Sequence, residues 1–427
     1  MQTTSRADRY RRITIRIPDT DPLLWLAHQT IMPQLYWKAR DGSMEVAAVG
    51  WAATADGDDT AEAPKVDLSA ITPDTRVWCL GRFDVDFPQS SDGSWAGFPQ
   101  RQVLLPLFEL ERDDNGCRLT CNLAPSGRSS SALNTLDAMT FVADRIPSLA
   151  ITAKSSRQYP DRERWEAMIG EALAAIDREE VVKIVLARTV EHRLSRPVVA
   201  AELLSTLIDQ ADASYQFLYQ SHSSRPAFVG VTPERLYRRE GRKIVTEAMA
   251  GTIFSASDDA NSHHVCDQLL NSDKDIREQR LVVDGIIRSL RALGCEQIAT
   301  EALQTRNCGH VFHLVSRISA LLPSGVDDLQ LISELSPTPA VCGWPREAAL
   351  KAIGRLEPFD RGWYGGPVGW ITKDRAEFAV GIRSALVEQD LVRQYVGAGI
   401  VAGSTADGEW AETQSKLKWA QAILSNT

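Results

Sequence analysis

The chain has no apolar run approaching about 18 residues, so no membrane-spanning helix is expected. It has no long Pro/Gly/Ser linker, no low-complexity tract and no obvious short-period repeat, so no domain boundary announces itself. Positive charge is in deficit. Lysine and arginine number 47 against 56 aspartates and glutamates, a formal net charge of −9. That balance disfavours nucleic acid or an anionic membrane as a partner. It also means that an anionic substrate needs a local cationic patch or a metal. Cysteines are few and scattered, seven in all. Cys117 and Cys121 are the closest pair, and no second pair completes a zinc site. Reduced thiols in a cytoplasmic protein are the expectation. The start, Met1 to Arg16, is rich in arginine but lacks the apolar core of a secretory signal.

What is present is a large apolar fraction. With 427 residues, 44% hydrophobic, the chain can bury a substantial core. Length alone suggests two or three domains. Two stretches read as loose, the acidic Ala55 to Pro64 and Ser126 to Ser131. Residues 1–150 are strand-rich: Arg11 to Ile17, Glu45 to Trp51, Arg76 to Phe83, Gln102 to Glu111 and Cys117 to Leu123 alternate. Asp161 to Ala175 and Ala200 to Gln210 read as helices. Val181 to Arg188, Tyr215 to Tyr219 and Ala227 to Val231 read as strands. Leu236 to Glu247 reads as a hairpin about Glu240-Gly241, and Ser262 to Arg291 as one long amphipathic helix. Helices and antiparallel strands mix without strict alternation, which predicts an α+β fold.

The chemistry gathers in the carboxy-terminal half. Asp275-Ile-Arg-Glu278 and Glu409-Trp-Ala-Glu412 each place two carboxylates on one helix face, and Lys416 follows one turn later. The bland reading of such spacing is a solvated face. Two such pairs beside Gly397-Ala-Gly399 could instead hold a hard cation and a small dicarboxylate. Oxygen-only ligation points to Mg²⁺ rather than zinc. Lys183 sits in an otherwise apolar strand, where the bland reading is a solvent-facing lysine and the functional one a desolvated general base. Glu234 follows Thr232-Pro233, a position that commonly starts a helix.

The order of these segments, together with Glu334-Leu-Ser-Pro-Thr-Pro-Ala-Val-Cys-Gly343, Glu357-Pro-Phe-Asp-Arg-Gly-Trp-Tyr364 and Phe378-Ala-Val-Gly-Ile-Arg383, resembles the chorismate-utilising enzymes. The isochorismate synthases match best, and the resemblance runs from about Lys183 to Lys416. It implies large antiparallel sheets packed as a sandwich, helices outside and the site in a cleft. Residues 151–427 would be the chorismate-binding region, continuous with residues 1–150 in one compact unit. Lys183 would activate water, and Glu234 would protonate the departing hydroxyl, its pKa raised by an apolar wall that Met249 could supply. Glu278 and Glu412 would bind Mg²⁺ directly, with Asp275 and Glu409 acting through water. Gly251, Thr252, Arg383, Tyr364, His313, Gly399 and Lys416 would contact substrate, and His310 would be structural.

Ala340 fills a position where relatives that eliminate pyruvate, or that aminate, tend to carry threonine. Lys183 speaks for water rather than ammonia as nucleophile. Salicylate synthase is the nearest rival. Anthranilate and aminodeoxychorismate synthases need an ammonia source, and no glutaminase module is present. A non-catalytic anion-binding relative would be expected to lack one of the catalytic groups. Two residues depart from the family pattern, Ser336 where histidine is common and Gln279 where histidine or asparagine is usual. The reaction is nearly thermoneutral by its bond count, so a downstream enzyme would have to draw off the product.

Overall fold

The computed structural model describes residues 10–55, 66–67, 71–84, 93–125, 129–141, 152–208, 213–254, 262–308 and 311–418. The acidic loop after Ala55, Ser126 to Arg128, His310 and the first nine residues lie outside them. Every strand pairing among the described residues is antiparallel.

The strands form two runs. The first passes from Ala153–Tyr159 through Lys183–Leu194, Leu391–Ile400, Ser384–Glu388, Ala227–Thr232 and Tyr215–Gln220. It continues through Gln34–Lys38, Glu45–Ala55, Arg101–Asp113 and Gly116–Leu123 to Arg11–Ile17. The second leaves the long strand Arg101–Asp113 through Val77–Gly81, then Pro367–Ile371, Arg375–Val380, Arg235–Glu240, Lys243–Phe254 and Val311–Leu321. Strands from both ends of the chain therefore interleave in both runs.

Between the runs lies an aromatic layer that includes Trp37, Trp78, Tyr215, Phe228, Trp363 and Trp370. Phe98 meets Trp363 edge-on at 4.9 Å, the favoured geometry for aromatic quadrupoles. Helices cover the outer faces. In Arg162–Asp177 the buried residues Trp165, Met168, Ile169, Ala172 and Ala175 recur at helical spacing, and Asp161 caps the amino end. No helix among the described residues is long and apolar enough to cross a membrane. No disulfide joins any of the seven cysteines.

The sequence pattern predicts one helix from Ser262 to Arg291, but the structure has two, Ser262–Leu270 and Asp273–Ala292. Ser272 is the reason. Its side chain accepts from the Asp275 N–H, satisfying a first-turn donor, so a new helix begins there. That break sets the direction of the helix that carries Glu278.

Candidate active site

Lys183–Leu194 and Leu391–Ile400 pair so that Gly399 lies opposite Val185 and Gly397 opposite Ala187. The chain then turns back through the helix Ala406–Leu417, which packs on this pair. The helix Asp273–Ala292 approaches from the other sheet, packed on Lys243–Phe254 and Val311–Leu321. These elements line a cavity that opens partly to solvent. Its walls contain Glu234, Gly251, Thr252, Glu278, His313, Ala340, Tyr364, Arg383, Gly399, Glu412 and Lys416. Eleven of the fourteen sequence-predicted residues therefore share one cavity, and Met249 and Gly397 join them. Lys183, Asp275 and Glu409 stand behind the wall.

Glu234 follows the strand Ala227–Thr232 and is 3% exposed. Burial pushes its carboxyl group up. The charge of Lys183 and the Thr338 hydroxyl at 3.4 Å oppose burial only in part, and the result is about 7. This group holds or releases a proton near neutrality.

Three lysines meet three carboxylates. Lys183 is fully buried, and its Nζ lies 2.9 Å from Glu278 Oε1, outside hydrogen-bonding geometry. Burial alone would raise the Glu278 carboxyl. The charge of Lys183, helped by Lys416 and Lys274, more than offsets it and leaves Glu278 below the ordinary range. Lys416 Nζ is 2.7 Å from Glu412 Oε1 and donates to the Gly397 carbonyl at 3.1 Å. Lys274 Nζ donates to Glu409 Oε1 at 3.0 Å, and Glu409 Oε2 is buried without a hydrogen-bond partner. Burial raises the Glu412 carboxyl, Lys416 opposes, and the nearby charges of Glu409 and Glu278 add to the rise. Carboxylate charge is thus crowded at this end of the cavity. Asp275 accepts from Ser272 Oγ in its own first helical turn. No three acidic, histidine or cysteine groups among the described residues form a ready metal cluster.

The opposite end is an arginine–histidine pair. Arg383 Nη2 donates to His313 Nε2 at 3.1 Å, and Nη1 donates to the Cys308 carbonyl at 3.3 Å. A guanidinium only donates, so His313 carries its proton on Nδ1, within reach of Thr252 Oγ1 at 3.2 Å and the Gly251 carbonyl at 3.4 Å. Burial and then the Arg383 charge hold His313 well below its usual pKa, so the ring is neutral. Arg383 itself has φ of +46°, a left-handed backbone that a non-glycine residue adopts only when its surroundings enforce it. Gly251 is the extra residue of a bulge, since Ala250 pairs with Leu314 and Thr252 with His313. Its φ of +73° suits glycine, and a Cβ there would lie 3.0 Å from the Asp275 Cβ.

The sequence pattern described as chorismate binding enzyme matches residues 1–425. The chain belongs to the chorismate-binding enzymes. It is 33% identical to the isochorismate synthase MenF of Escherichia coli strain K12 over 411 residues, 95% of this chain and 90% of that protein. The solved structure of the menaquinone-specific isochorismate synthase MenF from Escherichia coli superposes with a TM-score of 0.86 at 32% identity, covering 97% of this chain and 94% of that one. Anthranilate synthase component I from Streptococcus pneumoniae TIGR4 shares the fold, with a TM-score of 0.67 at 16% identity over 99% of this chain and 94% of that one. The expected α+β sandwich with outer helices is the observed fold.

Several supports of this cavity escape a reading of the sequence alone. Thr338 lies in the Pro-Thr-Pro run, and nothing local reveals that it reaches Glu234. Lys274 stands four residues before Glu278 on the same helical face, but that spacing does not reveal its pairing with Glu409 on a distant helix. Arg188 ends the strand motif that Lys183 begins. It donates to Thr413 Oγ1 at 2.7 Å and lies 4.1 Å from the Trp410 ring, so it braces the helix carrying Glu409 and Glu412.

Gly399 offers a direct test of the packing. A Cβ there would lie 2.5 Å from Glu278 Oε1 and 3.0 Å from Lys183 Cε. The obstructed atoms are side-chain ends, so Gly399→Ala should fold normally while displacing Glu278. We expect kcat/KM with chorismate to fall about 10²-fold, the usual cost of an ångström-scale misplacement. Thermal melting and steady-state kinetics check both halves.

Proposed function

We propose that the chain is an isochorismate synthase that interconverts chorismate and isochorismate with Mg²⁺. The observation that carries this reading is a buried carboxyl group poised at about 7 in the wall of the same cavity that Lys183 backs. Lys183 takes a proton from water as it attacks C2 of chorismate. The ring double bonds shift, and the C4 hydroxyl leaves as water with the proton of Glu234. The two proton transfers occur at different ring carbons, so two groups serve them. Lys183 acts as base once Glu278 has another cationic partner.

The acidic end of the cavity fits such a partner. Glu278 and Glu412 share the wall, their charges are crowded, and Glu409 keeps an unpartnered buried oxygen. Two direct protein ligands suit Mg²⁺, which keeps several waters and also takes oxygens from its substrate. Glu278 and Glu412 would hold it directly, with Glu409 and Asp275 reaching it through water. When bound, the ion offsets the charge of the ring carboxylate. Gly251, Thr252, Lys416 and the Gly399 backbone complete the contacts to that end of the substrate. Arg383, kept in place by neutral His313, forks the enolpyruvyl carboxylate with Tyr364 beside it. Ala340 leaves the wall near the leaving group small.

Incubation with chorismate and Mg²⁺, followed by separation of products, tests the reading. An equilibrium mixture with isochorismate and little pyruvate is expected. Stoichiometric salicylate and pyruvate would place the chain in the salicylate-forming branch instead. EDTA should abolish turnover and Mg²⁺ should restore it. Mg²⁺ should also raise the melting temperature of the substrate-free protein, and should do so less in Glu412→Gln. Full activity in a rigorously metal-free assay would overturn the metal assignment.

A further inference from the structure

The segment from Ser336 to Ala340 has a cavity on each side. Ala340 lines the active-site cavity, and Thr338 donates to Glu234. Ser336 and Pro337 line a second cavity, also partly open to solvent. That second wall is cationic. Among the described residues, Arg82, Arg101 and Arg346 stand in it against one acid, Asp84, in a chain whose net charge is −9.

Each arginine has donor capacity to spare. Arg82 is 3% exposed. Its Nη2 is held by Asp360, while Nε and Nη1 are buried with no hydrogen-bond partner. Unmade hydrogen bonds on a buried charged group are costly, so the Arg82 charge is only partly offset by Asp360 and adds to the positive potential of this wall. Arg101 is half-buried and pairs with no carboxylate among the described residues. Arg346 spends only Nη1, on the carbonyls of Ser333 and Glu334. Arg346 also opens the 11-residue helix Arg346–Leu356, whose N-cap, Pro345, supplies no side-chain hydrogen bond. The free first-turn N–H groups and the positive end of that helix add to the same wall.

We propose that this second cavity binds a small phosphate- or carboxylate-bearing anion, and that its occupancy acts on the active site through Ser336–Ala340. The coupling has a short physical path. An anion drawn against Arg346 and Arg101 bears on Ser336 and Pro337. The same five residues position the Thr338 hydroxyl on Glu234 and Ala340 in the substrate cavity. An effector that favours one placement of this segment changes turnover, and by linkage substrate changes the effector's affinity.

The test is calorimetric titration of the metal-free protein with inorganic phosphate and, separately, with succinate. Arg101→Gln, Arg346→Gln and Lys416→Met are titrated in parallel. The last variant controls for anions entering the substrate cavity. One saturable site is expected, weakened about tenfold or more in either arginine variant, within the usual range for a charge-assisted contact, and retained in Lys416→Met. Binding of phosphate alone identifies a phosphate site, and binding of both identifies a general anion site. Absence of saturable binding by either probe would overturn the proposal. So would binding that survives both arginine substitutions or vanishes in Lys416→Met. In steady-state assays the saturating anion should change kcat or KM of wild type and leave Arg101→Gln unaffected. Equal responses in the two proteins would overturn the coupling. The binding arm is independent of the proposed reaction, so the two readings fail separately.

Discussion

Glu234→Gln should lower kcat by about 10²–10⁴-fold, the worth of one positioned proton-transfer group. It should also make the protein more stable than wild type at alkaline pH. Both effects come from one environment. Burial pushes the Glu234 carboxyl from its ordinary 4.5 to about 7. The folded protein therefore binds a proton that the unfolded chain has already lost between those values. The contribution to stability is fully present below about 4.5, declines as pH rises, and is gone above about 7. Glutamine mimics the protonated form at every pH. The stability gap should open across that window and reach roughly 3 kcal/mol at most. Urea unfolding at pH values below and above the window measures it. The same carboxyl group sets the alkaline limb of the wild-type kcat profile, because the acid must be protonated to serve. A stability gap that does not change with pH would contradict the placement of this proton.

Lys183→Ala should cost a similar 10²–10⁴-fold in kcat, but its other consequences differ. Removing the ammonium leaves Glu278 without its ion-pair partner at 2.9 Å, and orphaning a buried charge destabilises by a few kcal/mol. Mg²⁺ should recover much of that loss, because the lysine no longer competes for Glu278. The melting-temperature rise on adding Mg²⁺ should therefore be larger in the variant than in wild type. The alkaline limb of any residual activity should move upward, since the charge of Lys183 holds the Glu234 carboxyl down. Retention of more than about a tenth of wild-type kcat would fall outside the proton-transfer range and remove Lys183 as the base.

These residues differ in how far the sequence exposes them. Lys183 stands out as a lone charge among β-branched and apolar residues, but that pattern alone equally suits a solvent-facing lysine, and only the fold shows that it is fully buried. The hairpin at Glu240-Gly241 is legible from its turn chemistry. Gln34–Lys38 is not, although it sits inside the first sheet run between Glu45–Ala55 and Tyr215–Gln220. Four of its five residues are buried, so no alternation survives in so short a stretch. The break at Ser272 was hidden because the apolar face continues across it, and only the cap distinguishes two helices from one. The lysine–carboxylate pairs depend on how two distant helices approach each other. Sequence spacing places Glu409 and Glu412 on one face but says nothing of Lys274. The bulge at Gly251 likewise needs the register with Val311–Leu321 before it has meaning.

The origin of the C2 oxygen tests the separate roles of Lys183 and Glu234 most directly. Unlabelled chorismate should be converted in oxygen-18 water with Mg²⁺, and the isochorismate analysed by mass spectrometry before equilibrium is reached. Attack by a water that Lys183 activates, with loss of the C4 hydroxyl, predicts isochorismate carrying a single solvent-derived label on the ring hydroxyl. Unlabelled isochorismate would mean that the hydroxyl group migrates within the substrate, and would contradict the separate roles given to Lys183 and Glu234.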